Sequence, residues 1–133
     1  MLDLLPALDT ALTVVLLLYT ASKVGAARSQ HGIKAPAISG HPDFERAWRV
    51  QMNTLEAAVM FLPSLWLATR YGGQPWLAGV VGLLWILSRT WYAVAYQRDA
   101  DKRGTPFAMA SLFMSALLVW GLLAVLIRML ARA

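Results

Sequence analysis

Between Phe107 and Ile127 lie 21 consecutive residues without a charge. At about 1.5 Å per residue a helix over that run spans roughly 30 Å, the hydrocarbon thickness of a bilayer. Lipid leaves little choice of fold, because backbone polar groups there must be satisfied within a helix or a closed barrel. Three more apolar runs precede it, at about 4–27, 44–71 and 75–96, and the last extends over about 105–130. The pattern predicts an all-α membrane protein, a four-helix up-down bundle forming one domain over residues 1–133.

The breaks between runs are turn-forming. Ser29 to Pro42 contains Gly32, Pro36, Gly40 and Pro42; Gly72-Gly73-Gln74-Pro75 reads as a tight turn; Arg98 to Pro106 reads as a charged loop. Met1-Leu2-Asp3 lacks the basic start of a signal peptide, and no A-x-A-type cleavage site follows, so the first run is expected to be a retained span. Only 14% of residues are charged, against about 25% in soluble domains. The net charge of +5 does not indicate nucleic-acid binding, because the basic residues sit at the ends of apolar runs. Lys23, Arg28, Lys34, Arg46, Arg98, Lys102 and Arg103 belong to one side, and Arg70, Arg128 and Arg132 to the other. That excess predicts cytoplasmic longer loops and termini outside, in a membrane for which a bacterial inner membrane is a fitting setting.

One helix breaks the apolar rule. Arg46, Arg49, Asn53 and Glu56 are spaced 3, 4 and 3 apart and fall within roughly 80° of one another on a helix. Ala57 to Thr69 then follow without a charge. A polar stripe leading into a membrane helix is costly and marks a functional site by default. Arg49 offers a planar fork for a carboxylate, Asn53 a donor and an acceptor, and Glu56 an anion. The same spacing would also suit an Arg–Glu pair that only holds the bundle together.

The third run carries a matching face, with Arg89, Tyr92 and Tyr96 within roughly 60°. Those tyrosines can donate to an anionic sulfur or a carboxylate, or can belong to an interfacial aromatic belt, as Trp85, Trp91 and Trp120 can. Arg103 follows seven residues after Tyr96. Taken together, the set complements a small zwitterion with two carboxylates, an ammonium and a nucleophile. The chain has no Cys, which excludes disulfides, thiolate metal sites and a cysteine nucleophile. His31 and His41 share one polar loop without helical ligand spacing and are read as loop residues, so no metal site is expected. No Gly-rich phosphate loop or Ser/His/Asp set competes.

With those residues in view, the chain resembles the MAPEG proteins (membrane-associated proteins in eicosanoid and glutathione metabolism) over nearly its whole length. Phe44 to Glu56, F-E-R-A-W-R-V-Q-M-N-T-L-E, matches the family's E-R-x-x-R-x-Q-x-N-x-x-E signature. Arg89 to Tyr96, R-T-W-Y-A-V-A-Y, followed by Arg103, is similar to the leukotriene C synthase and microsomal glutathione transferase type. The resemblance implies a homotrimer with glutathione as cosubstrate, bound between neighbouring subunits near the cytoplasmic side. It assigns Arg49, Asn53 and Glu56 to the peptide's charged ends. It gives further hydrogen bonds to Gln51, Tyr92 and Tyr96, and brings Arg28 from an adjacent subunit. Arg103 matches the arginine that stabilises the thiolate. Two positions depart from the leukotriene branch: Ala57 stands where it has a ligand-contacting tyrosine, and Ser29 where it has a second arginine.

The function implied is conjugation of glutathione to a lipophilic electrophile from the membrane, with glutathione peroxidase activity as a companion reaction. A non-enzymatic lipid-binding scaffold of the same fold is the alternative. A third reading is a small ion or proton path through Arg49, Glu56 and Arg89.

Overall fold

The computed structural model describes residues 1–132. Among them are four long helices and no strand: α1 (Leu5–His31), α2 (Pro42–Tyr71), α3 (Pro75–Arg98) and α4 (Gly104–Leu130). Pro6, Pro42 and Pro75 each sit in a first helical turn, where the missing N–H has no intrahelical partner to lose. His41 caps α2, its Nδ1 accepting the Asp43 N–H at 3.2 Å, and Asp43 and Glu45 complement the dipole of that first turn.

Two segments are more helical than their composition indicated. α1 runs on to His31 and stops only at Gly32, whose φ of 65° provides a left-handed cap. The segment expected as a loop over 98–106 is almost wholly helical. A 3-10 turn takes up Ala100–Arg103, with the Asp99 side chain accepting the Asp101 N–H at 3.0 Å. α4 then opens at Gly104 with Pro106 in its first turn, so Arg103 is fixed at a helix entrance.

α2 and α3 form the central pair. Each packs on the other and on both α1 and α4, while α1 and α4 flank the pair. The flanking helices bury narrow, mostly small or polar seams: Asp9, Thr13, Leu16 and Thr20 on α1, and Ala110, Leu117 and Gly121 on α4. Their larger side chains, among them Val15, Leu18, Leu112 and Leu123, point outward. Small residues inside and large apolar ones outside is the arrangement expected of helices that meet in lipid. A Cβ on Gly82 would lie 2.2 Å from Asp9 Oδ2, and one on Gly121 2.7 Å from Leu67 Cβ, so both glycines set the distance of close approach. Midway along the pair Phe61 and Trp85 stack with ring centroids 3.8 Å apart.

Leu2–His31, Pro75–Arg98 and Ala100–Leu130 are long and apolar enough to cross a membrane. α2 matches them in length, at 30 residues, but its first half carries the polar stripe. That half is shielded by α1, α3 and α4 on the faces it buries.

Candidate functional site

The polar stripe of α2 meets the tyrosines of α3. Asn53 Nδ2 donates to Tyr92 Oη at 2.8 Å, joining the two helices through side chains the sequence places 39 positions apart. Tyr92 is 1% exposed, so this hydroxyl needs a partner, and the amide supplies it. One turn further along α3, Tyr96 Oη accepts from Arg103 Nη1 at 2.9 Å. The Arg103 guanidinium also lies 5.1 Å from the Tyr96 ring centroid. A hydroxyl bond and a ring contact together hold an otherwise exposed cation in one direction.

Two adjoining cavities open beside this pair. One, of about 330 Å³, is lined by Asn53, Tyr92, Arg103, Gly104 and Phe107. The other, of about 360 Å³, shares Asn53 and Phe107 and adds Glu56, Arg89 and the apolar Met60, Ala110 and Met114. Polar donors therefore meet an apolar hollow at Asn53. Arg49 lines a third cavity, of about 260 Å³, together with Arg46, Tyr96 and Ala100. Tyr96 thus stands between Arg49 and Arg103.

Arg49 and Glu56 are exposed and enter no ion pair among the described residues. An Arg–Glu pair bracing the bundle is not formed among the described residues, and both side chains line cavities. Arg46 is the structural member of the stripe. It pairs with Asp43, and its Nε donates to Gln97 O at 3.3 Å, tying the start of α2 to the end of α3.

Two residues named from the motif lie elsewhere. Gln51 is about 200° round the helix from both Arg49 and Asn53 and lines none of the cavities that hold them. Arg28, at the end of α1, donates from Nη1 to Ala37 O at 2.8 Å and lies over Phe44 and Trp48, at 4.7 and 5.7 Å from their centroids. Both are half-buried, and neither lines the cavities around Asn53 and Arg103.

Three settings were not legible in the sequence, although Arg89 itself was marked there. Arg89 is 2% exposed; its Nη2 donates to Thr54 Oγ1 at 3.3 Å, its guanidinium lies 4.2 Å from the Tyr92 centroid, and its Nε has no partner. It therefore supports Tyr92 from below and leaves one donor free beside the apolar cavity. Thr54 sits off the stripe and was unmarked by spacing. Asp9 is fully buried with neither carboxylate oxygen bonded, pressed against Gly82. His31 and His41 stack at 3.6 Å, with Asp43 Oδ2 at 3.7 and 3.9 Å from their nitrogens. Nothing in their spacing signalled this cluster, because the Gly32–Gly40 loop folds back to make it.

The fold is a helical bundle with three helices long and apolar enough to cross a membrane, and a partly polar groove lies where its central pair meets α4. The profile of the MAPEG family matches residues 7–124. A Synechocystis protein, itself described as uncharacterised, is 46% identical over 121 residues, covering 91% of this chain and 88% of its own. Microsomal glutathione S-transferase 2 of Bos taurus is 39% identical over 108 residues, 81% of this chain and 73% of its own. Leukotriene C4 synthase of Cavia porcellus is 36% identical over 115 residues, 86% of this chain and 73% of its own. The chain belongs to the MAPEG family.

Proposed function

We propose that this protein conjugates glutathione to a lipophilic electrophile, with Arg103 stabilising the glutathione thiolate. The observation that carries the reading is the Arg103–Tyr96 hydrogen bond at the wall of a cavity shared with Asn53 and Tyr92. A fixed cation at that wall favours the charged sulfur over the neutral thiol, which raises the reactive fraction at neutral pH. The thiol proton leaves to water. The sulfur then forms a bond to the electrophilic carbon, and the leaving group departs with its electron pair.

Arg49 would take a carboxylate in a bidentate grip, Glu56 the ammonium, and Asn53, held by Tyr92, a peptide group. The apolar wall of Met60, Phe107 and Met114 would receive the second substrate from the lipid. Arg28 and Gln51 do not line these cavities, so a part for them in the site calls for a neighbouring copy. This supports a homotrimer with glutathione at the subunit boundaries. The basic excess around Arg28, Lys34, Arg98 and Lys102 supports a glutathione entrance on the cytoplasmic side, in a membrane such as a bacterial inner membrane. The same thiolate would attack a lipid hydroperoxide, a second glutathione completing the reduction to alcohol, water and glutathione disulfide.

The test is conjugation of chlorodinitrobenzene by the purified protein in detergent, followed by release of chloride. The proposal expects glutathione-dependent turnover that Arg103→Ala abolishes. Equal rates in wild type and variant would remove Arg103 from the chemistry, and no turnover in either would remove the transferase.

A further inference from the structure

A cavity of about 480 Å³ lies at the other end of the bundle, between the C-terminal turns of α2 and α4. Arg70, Arg128 and Arg132 all line it. These three are the only Lys or Arg side chains that the topology sends to that end. All of its side-chain cations therefore gather in one hollow, with no acidic residue in its wall. None of the three enters an ion pair among the described residues. The guanidinium groups of Arg70 and Arg128 lie 5.6 and 5.8 Å from the Tyr71 ring centroid, which collects both at one aromatic ring.

The negative ends of two helix dipoles account for a single arginine at each C-terminus. They do not account for a third cation in the same hollow, where like charges repel and no acidic side chain among the described residues lines the wall to offset them. The missing partner is an anion. Guanidinium forks match phosphate oxygens in geometry and charge. The remaining wall includes Leu67 and Val125, apolar residues that run on into the membrane-facing length of α2 and α4. An anion with an apolar tail fits both halves of this wall, and basic pockets between membrane helices are suited to such headgroups. We propose that this cavity binds the phosphate headgroup of an anionic phospholipid, at a site separate from the glutathione groove.

The full-length protein in nonionic detergent would be offered phosphatidylglycerol, phosphatidylcholine or inorganic phosphate. Retained lipid would be counted by native mass spectrometry and melting followed in parallel. The proposal expects phosphatidylglycerol to be retained and to raise the melting temperature, with phosphatidylcholine doing neither. Each arginine removed should weaken retention about fivefold. Arg132→Gln is the variant least able to disturb folding, since Arg132 lies beyond the last residue of α4. The double variant Arg70→Lys, Arg128→Lys keeps the charge and should recover most of the binding that Arg70→Gln, Arg128→Gln loses. Equal retention of the two lipids, or retention unchanged in Arg132→Gln and in the double Gln variant, would overturn the site. Stabilisation by inorganic phosphate as large as that by phosphatidylglycerol would overturn a lipid as its occupant.

Discussion

Both ends of the α2–α4 side pair arginine with tyrosine, yet they do so by different physics. At the end proposed to hold glutathione, Arg103 and Asn53 donate to tyrosine hydroxyls at 2.9 and 2.8 Å, so each donor has one direction. At the far end Arg70 and Arg128 are held only at the face of Tyr71 and make no side-chain hydrogen bond among the described residues. Hydrogen bonds fix donors to within a few tenths of an ångström, which suits a small ligand whose polar groups stand at set distances. A ring face lets a guanidinium slide, which suits a headgroup of variable shape. Two sites can thus use the same residue types and differ in how much freedom those residues keep.

The contrast can be broken in the middle or at either end. Trp85→Ala removes the ring that stacks on Phe61 between the two ends, and should cost about 3–5 kcal/mol of stability in detergent unfolding, loosening both sites at once. Arg103→Ala should lower kcat for chlorodinitrobenzene conjugation at least about 100-fold, the scale of losing one preorganised electrostatic donor, while KM for glutathione moves far less. Thr54→Val takes the oxygen from buried Arg89 Nη2 and should cost about 1–3 kcal/mol, read as a lower melting temperature. Tyr92→Phe strips the acceptor from Asn53. It should cost about 1 kcal/mol and raise KM for glutathione, leaving the far cavity untouched.

Much of the ordered end was legible in the sequence, for a specific reason. Polar residues are so costly in membrane helices that spacing alone marks them, and the stripes on α2 and α3 duly meet at Asn53 and Tyr92. Arg103 was legible as a residue but not in its setting, because the Arg98–Pro106 segment, read as a loop, is a 3-10 turn running straight into α4. Spacing could not separate Arg46 from Arg49. They share a face, and only the approach of Gln97 and Asp43 gives Arg46 its structural partners. Asp9, Thr13 and Thr20 form a polar row on one face of α1, but only the packing of α1 on α3 shows that Asp9 meets Gly82. The far cavity also depends on tertiary structure, since Arg70 and Arg128 belong to helix ends 58 residues apart.

The central claim is that Arg103 holds the sulfur of bound glutathione as a thiolate. Ultraviolet titration of glutathione on the purified protein reads this directly, comparing wild type with Arg103→Ala at saturating ligand. The account predicts that thiolate absorbance appears at a lower pH on the wild type than for free glutathione. It predicts that the curve returns to that of free glutathione in the variant. Identical curves for the two proteins, with glutathione bound to both, would contradict it.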